Sequence, residues 1–307
     1  MILSTRPIDR LGALVVVAVC LSLGFNQVAV KIALVDIPPL IQAALRSAGG
    51  TLVLAFVVCF TERGFFRRDG TLWAGLGVGL LFGFEFIALY LGLQRTSASH
   101  AVLFLYTAPF FVALGLVAFV PEEQLRSLQW AGLALAFFGV TFALGASSAA
   151  THSTLIGDLL CLAAGALWAA TTLMVKATNL RFASPSKALF YQLSVSSPVI
   201  AGAALLHGEA WPPRVSLVAV GSMAYQTLWI VCLTFLTWFW LLRRYRAGEL
   251  SAFSFLTPVI GVFAGWLVLG EPIDIGLLVA LVLVAAGILM VNWPEPKYRS
   301  LPDKANG

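Results

Sequence analysis

Charge is the scarce ingredient of this chain. Only 11% of its 307 residues are Asp, Glu, Lys or Arg, too few to coat one or two water-soluble domains. Histidine is rarer still: His100, His152 and His207 are the three, and none stands at a metal-ligand spacing. The four cysteines, Cys20, Cys59, Cys161 and Cys232, lie inside apolar runs without paired spacing, so they read as small packing residues. The glycine-rich stretch GLGVGLLFG at 75–83 is followed by no Lys-Ser/Thr, which excludes a phosphate loop and leaves helix packing. Carboxylates are not clustered, so an integral membrane enzyme lacks a catalytic constellation, and a channel lacks its polar rings. Short alternating strands are missing as well, which removes a transmembrane barrel.

What is present is apolar. Hydrophobic residues make up 60% of the chain and the mean hydropathy is +0.94. They come in runs of about 20, the length a helix needs to cross roughly 30 Å of hydrocarbon. Ten spans follow, at approximately 11–31, 40–60, 71–93, 101–120, 130–147, 157–177, 187–207, 218–242, 252–270 and 275–293. The first continues without a small-residue cleavage site and reads as a retained helix. The connections are short and polar, as in ERGFFRRDG at 62–70, and the segment from Pro294 is a charged tail.

Charge placement gives the orientation. With the N-terminus cytoplasmic, fifteen Lys and Arg fall on that side, Arg67, Arg68, Arg243 and Arg244 among them, against Lys31, Arg95 and Arg214 opposite. That bias predicts both termini inside, and it accounts for the net charge of +5 without a nucleic-acid partner.

A repeat organises the spans. SASHAVLFLYTAPFFVALGLVAFVPEE (97–123) and GELSAFSFLTPVIGVFAGWLVLGEP (248–272) share an offset of 149 that places Pro109 on Pro258, Tyr106 on Phe255 and Glu122 on Glu271. An offset of 145 matches Gly12 with Gly157, Ala18 with Ala163 and Lys31 with Lys176. Five helices is an odd number, so the second copy enters the membrane from the other side. Two inverted five-helix halves, 1–150 and 151–293 with a cytoplasmic tail at 294–307, are therefore predicted, a device of secondary transporters.

The two halves, LSLGFNQVAVK (21–31), GALWAATTLMVK (165–176) and the repeated proline helices with their trailing Glu together resemble the drug/metabolite transporter superfamily, in particular its ten-helix EamA-type exporters. The resemblance covers nearly everything from Leu11 to Trp293. It implies an all-α integral membrane protein of the cell inner membrane, with a central cavity lined by helices 1, 3, 4, 6, 8 and 9 and helices 5 and 10 peripheral. It implies export of amino acids, aromatic ones included, or of related small metabolites by alternating access, without a cofactor or catalytic residues. A cationic drug or a nucleotide sugar is the alternative cargo, although the latter calls for several basic residues in the cavity, and Arg46 alone lies well inside a span. Its partners are a small-molecule substrate and the bilayer, and nothing asks for more than a monomer.

Individual residues carry expectations. Pro109 and Pro258 each remove a backbone hydrogen bond and are candidate hinges or static kinks. Glu85 is the one carboxylate deep in a span, roughly 21 Å from the helix start, at a depth like that of Arg46. It is a structural ion pair with Arg46, a site for a substrate ammonium or a coupled proton, or a packed neutral acid. His100 is a second coupling candidate or an interfacial residue. Tyr106 and Trp168 near the midplane, with Asn26, Thr171, Gln226 and Thr257, are candidate substrate contacts. Glu122 and Glu271 read as helix-end caps or as salt-bridge partners of a neighbouring loop.

Overall fold

The computed structural model describes residues 8–62, 65–66, 69–119, 127–146, 154–245, 250, 253 and 256–291. Helices α1 (Arg10–Ala33), α2 (Pro39–Thr61) and α3 (Leu72–Leu93) come first. The fourth span is in two pieces, α4 (Ala98–Leu105) and α5 (Ala108–Phe119), followed by α6 (Ser127–Ala146). Helices α7 (Leu155–Ala177) and α8 (Pro185–Leu206) are continuous. The eighth span combines α9 (Leu217–Ala224), a π-helical stretch (Tyr225–Thr234) and α10 (Phe235–Arg244), and α11 (Leu256–Leu269) and α12 (Ile275–Val291) complete the described chain.

Six of these spans are long and apolar enough to cross a membrane, among them Leu217–Trp238, and four shorter apolar helices occupy the other expected spans. The protein is thus a multi-pass, all-helical membrane protein, which keeps every backbone group of a lipid-facing segment bonded internally. Residues such as Leu52, Phe56, Phe60, Leu217 and Val282 point outward as a lipid-facing surface, while Leu89, Leu93, Phe104, Leu189 and Leu193 fill the interior.

Local sequence explains most helix starts. Asp9, Ser97, Thr154, Ser184 and Ser216 each place a side-chain oxygen on the N–H three residues ahead, closing orphan donors. Helix α2 differs, because it starts at Pro38-Pro39 and neither proline offers a side-chain acceptor. Its Leu40 and Ile41 N–H groups donate instead to the Glu209 carboxylate, at 3.0 and 2.9 Å.

Cross-links sort the helix termini into two ends of the bundle. At the Lys31 end, Lys31 Nζ donates to Thr96 O (2.5 Å), Thr154 N to Arg95 O (2.9 Å), Ser216 N to Asp36 Oδ2 (2.9 Å) and Ala98 N to Glu271 Oε1 (2.6 Å). At the Lys187 end, Tyr245 Oη donates to Asp9 (2.7 Å), Ser184 Oγ to Glu62 (2.8 Å) and Lys187 Nζ to Asp69 (2.6 Å). Helices α1 and α7 therefore run in opposite directions across the bundle, as do α4 and α11.

Two close approaches set the interior. An ideal Cβ on Gly165 of α7 would lie 2.9 Å from Phe104 O and 3.0 Å from Thr107 Oγ1, so only glycine lets α7 reach the break in the fourth span. On the other side, a Cβ on Gly24 of α1 would lie 2.9 Å from Thr257 O, beside Pro258. The pairings are crossed: α7 packs on α4 and α5, and α1 packs on α11, while α6 and α12 pack chiefly on each other.

Candidate functional site

The first interior group surrounds the break. Backbone helicity stops at Tyr106 and Thr107, two residues before Pro109, rather than bending smoothly at the proline. Thr107 stabilises the interruption: its Oγ1 donates to Phe104 O at 2.6 Å, and its own carbonyl accepts from Phe110 N at 2.9 Å. The Leu105 carbonyl, which Pro109 cannot bond, lies against Gly165. Tyr106 meets Trp168 edge-on, with ring centroids 5.5 Å apart, and Thr257 sits beside both Tyr106 and the Cys20 thiol. Asn26 and Thr171 are buried with Asn26 Oδ1 and Thr171 Oγ1 lacking any hydrogen-bond partner.

The second group lies nearer the Lys31 end, where the π stretch begins. Tyr90 Oη of α3 donates to Gln226 Oε1 at 2.8 Å, and Gln42 Nε2 of α2 donates to the same oxygen at 3.3 Å and to Val30 O at 3.2 Å. Gln226 Nε2 donates to Ser222 Oγ (3.3 Å), which in turn donates to Ala29 O. This chain of amides and hydroxyls ties α1, α2, α3 and the eighth span together. The five-residue spacing of the π stretch is visible at its end, where Phe235 N–H donates to Ile230 O, and Thr234 Oγ1 donates to Trp229 O at 2.9 Å; such turns recur at functional sites.

Beside the network stand two charged side chains. Arg46, one turn along α2 from Gln42, is 1% exposed, and its guanidinium lies 4.3 Å over the Phe86 ring. Its Nε and Nη1 have no acceptor. Glu85, 4% exposed, has Oε2 without a donor. Among the described residues no ion pair joins the two, so the structural pair expected from their equal depth does not form. A buried polar group left so incompletely bonded costs about 1 to 3 kcal/mol, more where it is charged.

His100, three residues into α4 at the Lys31 end, is buried, and its Nδ1 lies 3.0 Å from Oδ2 of the fully buried Asp158, whose Oδ1 accepts from Thr96 Oγ1. Glu271 caps α4 as expected, accepting from Ala98 N (2.6 Å), Ser99 N (3.0 Å) and Ser99 Oγ (2.6 Å). Its counterpart Glu122 and the aromatic Phe255 lie outside the described residues. A recess of 390 Å³ lined by Asp36, Pro38, Gln94, His207 and Glu209 opens at the Lys31 end, apart from both interior groups.

The structure thus brings Tyr106, Trp168 and Thr257 together and sets Gln226 with Tyr90 and Gln42 in a separate group. Sequence reading missed Gln42, Asp158, Glu209 and the π stretch. Asp158 was readable as a carboxylate in the first turn of an apolar helix, and Pro38-Pro39 as a helix start that needs an acceptor from elsewhere. Neither was tied to a partner by spacing.

A bundle of membrane-spanning helices, with one span broken, one locally π-helical and bonding capacity left open inside, has the organisation of a membrane transporter. Sequence comparison narrows this: the EamA-like transporter family profile matches residues 10–145 and again 155–293, and the chain belongs to that family. A probable amino-acid metabolite efflux pump of Salmonella typhimurium (strain LT2) is 32% identical over 293 residues, spanning 91% of this chain and 93% of that one. The uncharacterized transporter YoaV of Bacillus subtilis (strain 168) is 25% identical over 277 residues, spanning 90% and 94%, and the threonine/homoserine exporter RhtA of Salmonella typhimurium is 26% identical over 273 residues, 85% of each. A solved crystal structure superposes with a TM-score of 0.61 at 21% identity over 91% of this chain and 96% of its own, which speaks to the fold alone.

Proposed function

We infer that the chain is a secondary transporter exporting amino acids, aromatic ones included, or related small metabolites across the inner membrane by alternating access. The crossed packing carries this reading. The broken fourth span rests on α7 and the proline-bearing α11 rests on α1, so exchanging the roles of 1–150 and 151–293 preserves the pairings, as an inverted repeat requires. Lys and Arg placement puts the Lys31 end outside and both termini inside, with 294–307 a cytoplasmic tail. Pro109 and Pro258 serve as hinges beside the Gly165 and Gly24 contacts, and transport unaffected by Pro109→Ala and Pro258→Ala would end that role.

Cargo class rests on the relatives' names, an amino-acid metabolite efflux pump and a threonine/homoserine exporter. Tyr106, Trp168, Thr171, Thr257, Asn26 and Gln226 form the substrate-contacting set, and the His100–Asp158 pair at the outer end is the coupling element. Export of cationic drugs is the second reading, favoured by the open Glu85 carboxylate and opposed by the equally open Arg46 cation. Purified protein in liposomes, offered a panel of labelled amino acids, should show saturable flux for at least one. Flux of another metabolite class with none for amino acids would overturn the cargo assignment.

A further inference from the structure

Arg46 and Glu85 present opposite charges from α2 and α3 in the same half of the bundle, each buried beyond nine-tenths and each with an unbonded polar atom. The neighbouring network answers them only in part: Tyr90 lies beside the Arg46 guanidinium, the Gln42 amide nitrogen donates to Gln226 and Val30 while Gln42 Oε1 has no donor, and Arg46 Nε and Nη1 and Glu85 Oε2 stay open. Phe86 supports the guanidinium face at 4.3 Å and supplies no acceptor to its N–H edge. The open donors of a guanidinium call for an anion with more than one acceptor oxygen, and the open carboxylate oxygen calls for a cationic donor.

A ligand carrying both groups answers both vacancies without bringing net charge into the membrane. We propose that Arg46 receives the carboxylate and Glu85 the ammonium of a zwitterionic α-amino acid, with the Tyr90–Gln226–Gln42 network holding α2 and α3 in register for the two contacts. This assignment rests on the amino-acid reading above and names the subsite within it. A fixed pair of opposite charges rejects molecules bearing one charge only, since each leaves one buried ion unanswered.

Three ligands separate the contacts: L-phenylalanine, phenylalaninamide, which lacks the carboxylate, and 3-phenylpropionate, which lacks the ammonium. Affinities are measured on the full-length protein in detergent and by competition in liposomes. Wild type should prefer phenylalanine to each analogue by about 10-fold or more, the effect of one charged hydrogen bond. Arg46→Gln should weaken phenylalanine about 30-fold while leaving phenylalaninamide unchanged, and Glu85→Gln should weaken phenylalanine while leaving 3-phenylpropionate unchanged. Should Arg46→Gln fail to give monodisperse protein, Arg46→Lys decides, with a smaller loss confined to the two carboxylate ligands.

Equal weakening of phenylalanine and its amide in a folded Arg46 variant, or no weakening, overturns the subsite while the amino-acid reading stands. Absence of wild-type affinity for all three ligands overturns the subsite, and the amino-acid reading falls with it when no amino acid of the labelled panel shows saturable flux either.

Discussion

The two ends of the bundle are fastened by different chemistry. At the Lys31 end, carboxylates reach from one half of the chain to backbone N–H groups at helix starts in the other: Glu271 to α4, Glu209 to α2, Asp36 to the cap of α9. At the Lys187 end the described ties join side chain to side chain, Lys187 with Asp69, Ser184 with Glu62 and Tyr245 with Asp9. A side-chain pair can part when one rotamer changes. A capping carboxylate can turn away too, but Glu271 and Glu209 each give up at least two bonds and the favourable helix dipole in doing so. The Lys31 end is therefore fastened mainly by carboxylates that hold whole helix starts, whereas the Lys187 end is fastened contact by contact.

Substitutions test the contrast, beginning with the largest effect. Glu271→Ala removes the acceptor for two backbone donors and the Ser99 hydroxyl, and should lower stability by about 2 kcal/mol, read as a fall in Tm in detergent. Asp158→Asn leaves His100 and Thr96 with a weaker partner and should cost about 1 to 2 kcal/mol by the same measurement. Glu209→Gln keeps one acceptor oxygen for α2 and should cost less, about 1 kcal/mol or under. Asp69→Asn, at the opposite end, should change Tm least at neutral pH, because Asp69 itself is partly open to solvent and pairs with an exposed partner contribute about 0 to 1 kcal/mol. A larger loss for Asp69→Asn than for Glu271→Ala would remove the distinction between the ends.

Acid sharpens the comparison. The Lys187 ammonium and the Thr71 hydroxyl hold the Asp69 carboxyl down at about 2. A lowered folded-state value stabilises the protein above the ordinary carboxylate range and is lost on acidification from about 4 toward 2. The stability difference between wild type and Asp69→Asn should close across that window and stay constant above pH 5. A difference that grew on acidification would reverse the sign.

Ten spans and their order were legible because apolar length is local, whereas Glu271 could be read as a cap without any sign that the helix start it serves lies in the other half of the chain. The fourth span was legible as interrupted, but its break falls at Tyr106-Thr107 because Thr107 can bond backward to Phe104 O while Pro109 is accommodated in the first turn of α5. Equal depth suggested that Arg46 and Glu85 pair, yet depth fixes height and not azimuth, and the two remain apart. The π stretch left no mark in composition, since α and π turns accept the same apolar residues and differ only in which carbonyl each N–H selects.

That stretch also acts as a screw thread. One residue more or less in a helical turn rotates everything beyond it by about 100°. Were Tyr225–Thr234 to give up its wide turns for α turns, the segment carrying Gln226 would revolve against α10, withdrawing Gln226 from Tyr90 and Gln42. In such a rearrangement the height of α9 along its axis and the pointing direction of Gln226 would change together.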